Sequence, residues 1–537
     1  MTEKEAFHWA DQLAKKISDR TKKEKVVANI KCQQTPSGGK HIGNLNDVVR
    51  AYFVYKCLLE NKEKCTFVHT TDDRDPMKEV PLRIMDLEGN WHDSKKLVDF
   101  DKYTGIPYCR IPDPFKCCKS WSEHFTKVWM KGVNLLNMDP KLYSVDQLYK
   151  EGKFEPYILE IFKNIKKASE IVTAHQETKK ENYIPFDAIC PECGKYSNID
   201  SFDLKKKTVH FVCSGKSIKE KLAEGCGFEG EVPLVEGKLQ WRFEWPALMC
   251  IFNTTYEPMG KDHWEGSWKT LIDVMEQIFK KEPPLTLVYE FFLVDGKKMS
   301  ASKGNVFTVQ DILKIIEPEV LLFFYAKRPE KQRDLELMRI FQLVDEFDST
   351  ERIYFGKEEA RSENREENSK RMYEICMPIL PKECPKRIEY KLLAILSQLF
   401  DKKTILEKLT ELGHLDKATK LDIELNKKRI DLAKYWLDNH APEEFKFSIQ
   451  KKINYIPNDN EKKALKQLQK SLETKKFNEE SLAKELFDIC KETSVEPRDF
   501  FKAAYKIIIN KERGPKLATL ILAATPEKIL KLLKQLK

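Results

Sequence analysis

No apolar run in this chain approaches the ~20 residues that span a bilayer. The longest, such as Val320 to Ala326, are far shorter, so no membrane-spanning helix is expected. The opening residues, MTEKEAFHWADQLAKKISDR, interleave acids and bases without an apolar stretch. That argues against a secretory leader and for a cytoplasmic protein. No GxxxxGK(S/T) occurs, and the glycine-rich segment Gln33 to Asp47 does not match GxGxxG, which sets aside the P-loop and the dinucleotide fingerprint there. No internal repeat is seen. What the chain does have is 537 residues, 41% of them hydrophobic, enough to bury real cores in about three or four domains. Ninety-four Lys and Arg against 85 Asp and Glu leave +9, a basic excess that permits a polyanionic partner. Of 14 cysteines, ten are scattered (Cys117 and Cys118 among them), which suits a reducing compartment, while four cluster between Cys190 and Cys226.

The first half alternates β-branched runs with helical patterns: VVANIKC from Val26, LNDVVRAYFVYKCLLE from Leu45, CTFVHTTDD from Cys65. Strand, helix, strand in that order predicts a parallel sheet with right-handed crossovers, a Rossmann-like layer. Leu45, Val48, Val49, Tyr52, Leu58 and Leu59 keep to one helix face, the stripe of a helix packed on a sheet. A Cys, Gly and Lys-rich insert begins at Tyr183. A third sheet-type run, LTLVYEFFLV, covers Leu285 to Val294 and ends in the turn pair Asp295-Gly296. GKEEARSENREENSKR, after Phe355, reads as a linker or an exposed helix, and the remainder is all-helical. The expected organisation is a catalytic α/β domain in two halves, 1–182 and 239–350, a Cys-rich metal-binding insert at 183–238, and a helical region at 351–537.

Two segments carry the chemistry. QQTPSGGKHIGNLND, Gln33 to Asp47, leaves the first strand and enters the first helix, where a nucleotide phosphate would sit. Its glycines admit close backbone approach, the helix N-terminus offers free N–H groups, and His41 and Asn44 add side-chain donors. The plainer alternative is an ordinary strand-to-helix turn capped by Ser37 or Asn44. DGKKMSASKGN, Asp295 to Asn305, is a cationic loop whose Lys297, Lys298 and Lys303 can neutralise charge on a departing pyrophosphate. In isolation it would read as a solvated basic loop. The insert offers Cys190 and Cys193 at C-x-x-C spacing, then Cys213 and Cys226, a thiolate set for tetrahedral zinc, with His210 as an alternative to Cys213. Four protein ligands leave no open position, so the role is structural; no thioredoxin-like frame surrounds the pair.

PSGGKHIGN and KMSASKGN resemble, in order and separation, the two signatures of class I aminoacyl-tRNA synthetases. Together with TTDDRDPMKEVP from Thr70, WRFEWP from Trp241, GKDHW from Gly260 and the Cys-rich insert, they resemble the class I lysyl-tRNA synthetases. The resemblance implies activation of L-lysine with ATP and Mg2+, transfer to tRNA(Lys), a structural zinc and a helical anticodon-binding region. It implies that Pro36, Ser37, Gly38, His41, Gly43 and Asn44 cradle ATP from one segment and Lys298, Ser300, Ser302 and Lys303 from the other, with Gly260 and Asp262 meeting ribose or adenylate. His41, Asn44 and Lys298 would carry the catalysis, by charge stabilisation and without a catalytic base. Thr35, Asp73, Trp241, Glu244, His263 and Tyr289 are implied for lysine, with Asp72 and Trp245 beside them; Asp72 or Asp73 could instead cap a helix. The sequence departs from the family pattern at Ala301, where a lysine is usual, at Glu244, where Asp is expected, and at Cys32-Gln33-Gln34 before Thr35. No insert suits an editing domain. The competing readings are another class I synthetase, a smaller nucleotidyltransferase, disfavoured by the long helical tail, and a non-catalytic tRNA-binding paralogue, against which the intact signatures argue.

Overall fold

In the computed structural model, which describes residues 8–97, 99, 101–175, 183–218, 221–299 and 306–536, the chain forms two units. One comprises Met1–Ile312, Leu321–Leu335 and Ala360–Pro378, the other Leu313–Val320, Glu336–Glu359 and Ile379–Lys537. The chain crosses between them more than once, so no single cut near 350 separates them.

The first unit is built on five strands: β1 (Ala28–Gln34), β2 (Cys65–Thr71), β3 (Lys141–Ser144), β4 (Tyr256–Gly260) and β5 (Leu285–Tyr289). Their order is β5-β4-β1-β2-β3, every pairing parallel. Helix α1 (Trp9–Glu24) packs on α2 (Leu45–Glu60), which lies against β1, β2 and β4. Leu45, Val48, Val49 and Leu58 of the expected stripe are buried. So are Arg50, Phe53 and Val54, because α1 covers a second face of the helix. Leu59, expected in the stripe, is instead 48% exposed, at the end where the helix outruns its cover.

The run from Leu285 to Val294 is not one strand. It leaves the main sheet at Tyr289, and Phe292–Val294 joins a separate small sheet with Lys297–Lys298 and Arg333–Leu335. Apolar content alone could not reveal that break. The stretch left open as linker or helix contains the helix Glu363–Cys376. Arg371 holds it to Asp11 and Glu60 at 2.6–2.9 Å, and Lys56 Nζ donates to the Glu374 and Met377 carbonyls at 2.7 and 2.6 Å, satisfying C-terminal acceptors that the helix cannot pair itself.

The insert folds as short antiparallel strands. Its Phe186, Val209, Phe211 and Leu234 share one apolar cluster with Ile158, Phe162, Phe243 and Leu248, so it is packed into the catalytic unit through a common core.

The second unit contains helices, from Ile340–Tyr354 to Pro526–Leu533, and no strand among its described residues. Leu465, Leu468, Leu486, Ile508 and Leu520 centre its core. Buried Arg429 bonds Glu317 at 2.6 Å and both Asp348 oxygens at 2.6 and 2.9 Å, while Arg387 meets Glu351 at 2.8 Å and Glu319 at 3.0 Å. Removing one member would strand a buried charge.

Candidate active site

The strand order reverses between β1 and β4, and the crevice above their carboxyl ends is where a sheet of this kind collects ligands. A cavity of about 650 Å³ lies there. Gln34 and Thr35 line it after β1, Asn44 and Asp47 at the start of α2, Asp72 and Asp75 after β2, and Trp241, Trp245 and His263 near β4.

The first signature leaves β1 and tightens into a short 3-10 turn, Ile42–Asn44, that runs into α2. Asn44 Oδ1 accepts from the His41 amide at 3.2 Å and the Asn44 amide donates to the His41 carbonyl at 2.9 Å. The Nδ1 of the half-buried His41 ring is shut off from water without a partner. Burial first, then the charges of Lys40 and Lys298, bring its pKa down to about 4, so the ring is neutral at pH 7. Gly43 is required sterically: a Cβ there would stand 2.8 Å from His41 Nδ1 and 3.4 Å from Met299 Cε. Gly38, at φ +137°, lies where a side chain would meet Pro81 of the PMKEVP loop at 2.8 Å.

Met299 belongs to the second signature, and the Ile42 amide donates to the Phe307 carbonyl at 2.9 Å. Met299 of the second segment and Phe307 just beyond it therefore both lie against the turn of the first. Lys298 stands on the short strand Lys297–Lys298, its Nζ 3.9 Å from the centre of the Phe291 ring. Ser300, Ser302 and Lys303 lie outside the described residues. Pro36 is buried and Ser37 half-buried in the first loop, where Ser37 Oγ accepts from Lys40 Nζ at 3.1 Å. Gly260 ends β4, and Asp262 is exposed on the short helix Lys261–Gly266 that follows.

The rest of the cavity wall is assembled from more distant parts. Trp241 and Trp245 stack at 5.0 Å, with His263 5.4 Å from Trp245. Trp245 Nε1 and Lys31 Nζ both donate to Glu257 Oε1, at 3.1 and 2.9 Å. Thr35 Oγ1 donates to Asp75 at 3.1 Å. Three expectations change. Asp73 does not line the cavity; it accepts from the Asp146 amide at 2.8 Å and from Ser144 Oγ at 2.5 Å, capping the helix Val145–Lys150. Glu244 is wholly buried and held by Lys238 and, at 2.8 Å, by the Tyr149 hydroxyl. Tyr289 donates its hydroxyl to Asp47 at 2.5 Å, beneath the cavity. Of the pair, it is Asp72 that faces in, beside Asp47, Asp75, Asp187 and Glu257: it is buried, its Oδ1 is without a partner, and its pKa is pushed well above the ordinary range by burial and then by Asp75 and Glu244. Gln34 Oε1 and Nε2 and Glu257 Oε2 are likewise buried and unpartnered. Each such atom costs about 1–3 kcal/mol until a ligand answers it.

The Sγ atoms of Cys190, Cys193, Cys213 and Cys226 lie within 4.8 Å of one another, with 3.6 Å between 190 and 226 and between 193 and 213. That is far too long for a disulfide and close to the ~3.8 Å edge of a tetrahedron of thiolates ~2.3 Å from zinc. His210 turns instead toward Asp200 and Glu229. A second four-donor cluster, Asp113, Cys117, Cys118 and His124, was not foreseen, although the D-x3-C-C-x5-H spacing was available in the sequence. Lys31, Asp75 and Glu257 were also missed, being ordinary residue types whose position only the fold reveals.

A doubly wound sheet with two phosphate-type segments meeting at its switch point is the arrangement of a nucleotide-activating enzyme. Over residues 7–378 the chain matches the family described as tRNA synthetases class I (K), and it belongs to that family. A lysine–tRNA ligase of Natronomonas pharaonis is 35% identical, over 97% of this chain and 96% of its own length. Those of Haloarcula marismortui (35%; 96% and 94%) and Pyrococcus horikoshii (33%; 98% and 99%) align over similar lengths. Among solved structures, a glutamate tRNA ligase from Elizabethkingia meningosepticum aligns over 95% of this chain and 100% of its own, at 11% identity and a TM-score of 0.35.

Proposed function

We propose that this chain is a lysine–tRNA ligase, joining L-lysine to ATP as lysyl-adenylate with release of pyrophosphate and then passing the lysyl group to the terminal ribose hydroxyl of tRNA(Lys). The observation that carries the reading is Met299 of the second signature beside Gly43 of the first, with Phe307, two residues beyond the second, accepting from the Ile42 amide, at the switch point of the sheet.

The triphosphate rests on the turn from Pro36 to Asn44: Ser37, Gly38 and Gly43 let backbone approach it, and neutral His41 donates a hydrogen bond without adding charge. Asn44 keeps that turn closed. Lys298, with Ser300, Ser302 and Lys303, meets the negative charge that grows on the leaving pyrophosphate, so an in-line displacement by the lysine carboxylate needs no nucleophilic side chain. Magnesium arrives as the counter-ion of ATP. Gly260 leaves room for the ribose, and Asp262 accepts from it.

An ammonium of lysine lies against the unpartnered Asp72 Oδ1, and its charge favours release of the proton that burial holds on Asp72. Thr35, Trp241 and His263 shape its surroundings, while Glu244 and Tyr289 act indirectly, holding Lys238 and Asp47. One zinc held by Cys190, Cys193, Cys213 and Cys226 pins the insert, and the helical region meets the anticodon. No described helix is long and apolar enough to cross a membrane, and a cytoplasmic site of action accords with the scattered free thiols. The test is ATP–pyrophosphate exchange with each of twenty amino acids. Lysine alone should support it; exchange driven by a different amino acid, or by none, would overturn the reading.

A further inference from the structure

Four residues of the insert face the cavity: Asp187, Tyr196, Lys216 and Lys238. Two are engaged by the enzyme itself. Tyr196 donates to the Arg74 carbonyl at 2.6 Å, and Lys238 sits between Glu244 and Asp75. Asp187 and Lys216 are different. They form an ion pair with each other at the cavity wall, and the second Asp187 oxygen accepts from Gln240 Nε2 at 3.1 Å.

Lys216 stands on the hairpin Gly215–Ile218 with Lys221–Glu224, whose two ends are the segments carrying Cys213 and Cys226. The neck is tight: a Cβ at Gly215 would strike the Ala223 carbonyl, and one at Gly225 the Cys213 carbonyl. Lys195 Nζ adds a bond to the Glu224 carbonyl at 3.0 Å. The four-thiolate cluster and the Lys216 ammonium are thus joined by very few backbone torsions.

We propose that Lys216 and Asp187 form a displaceable ion pair that receives the amino acid, and that the thiolate-bound metal holds Lys216 in register for it. A free amino acid brings a carboxylate and an ammonium close together. When its carboxylate takes Lys216 and an ammonium takes Asp187, every charge is paired both before and after binding, and no bare charge is left in a half-buried wall. Zinc, when bound, supplies the crosslink at the hairpin neck. Asp72 meets the other ammonium of lysine, so this inference rests on the lysine reading and adds a contact to it.

The test combines equilibrium dialysis of lysine with pyrophosphate exchange on the full-length enzyme. Lys216→Met should raise lysine Kd and KM together by about 10- to 100-fold. Its kcat and ATP KM should stay within about threefold, the signature of binding lost equally from ground and transition states, and its zinc content should be unchanged. Lys216→Arg should recover most of the affinity. Zinc-free Cys226→Ser should weaken lysine binding as much, and adding Lys216→Met to it should cost little more. Where Cys226→Ser fails to fold, chelator-stripped wild type, with zinc restored as control, gives the same reading. An unchanged lysine Kd in Lys216→Met, or an equal rise for ATP, overturns the displaceable pair; fully additive losses overturn its anchoring by metal. If wild type binds lysine but shows no lysine-dependent exchange, the lysine-ligase reading fails while dialysis still decides the role of Lys216.

Discussion

The two halves of the cavity are made in different ways. The side proposed for the triphosphate is mostly backbone: a strand end, a 3-10 turn, and glycines where a Cβ would press on His41 or Pro81. The side proposed for the amino acid is side chains, drawn from β1, the end of β2, the insert, Trp241 and Trp245 and the short helix after β4. A backbone cradle tolerates any ligand that carries phosphate, whereas choosing one amino acid requires charges and rings placed from many directions. Changes on the first side should therefore act on turnover, and changes on the second on substrate affinity.

The largest effect that would test this contrast is expected from Lys298→Ala. Loss of the cation proposed to meet the leaving pyrophosphate should lower the exchange rate by about 10²- to 10³-fold, with tRNA affinity, measured by filter binding, unmoved. Asp72→Asn should raise lysine KM by about 100-fold and leave the ATP KM alone; a matched rise for ATP would erase the distinction between the halves. Gly43→Ala pushes a methyl into His41, and a displacement of that kind should cut kcat by about tenfold with lysine Kd unchanged.

A smaller effect concerns pH. Asp47 lies where the halves join, and burial, partly offset by the Tyr289 hydroxyl, pushes its pKa up to about 7. The folded protein thus holds this proton more tightly than the unfolded chain. The stability it confers is fully present below the unfolded carboxylate range and is lost as pH rises through 7. In urea melts from pH 4 to pH 8, wild type should lose ground against Asp47→Asn up to about pH 7 and run parallel to it above. A gap that stays constant would show Asp47 to be an ordinary carboxylate. Least of all should be the effect of Asp73→Asn: about 1 kcal/mol of stability from a weakened helix cap, with lysine KM nearly unchanged, in contrast to its neighbour.

That neighbouring pair also shows what was legible beforehand. β1, α2 and β2 were readable because alternation and helical spacing survive in any sequence that must cover a parallel sheet, and the phosphate turn because it is local. The four insert thiols were legible from spacing as well. The choice between Asp72 and Asp73 was not. Successive residues beyond a strand end point in opposite directions, and which one faces the crevice depends on Ser144 and the Asp146 amide, some seventy positions away. The separation of Leu285–Tyr289 from Phe292–Val294 was hidden for a similar reason, since both pieces are apolar and only their partners differ. Lys31 with Glu257, and Lys216 with Asp187, are pairs joined across the fold, and neither partner announces the other in the chain.

The most direct measurement is a crystal structure of the enzyme with a non-hydrolysable lysyl-adenylate analogue. The account expects the adenylate phosphate against the His41–Asn44 turn, beneath Lys298, and an ammonium of the lysyl group within hydrogen-bonding distance of Asp72. An analogue seated away from that crevice, or lying in it with Asp72 unengaged and its lysyl group directed to Asp73, would contradict it.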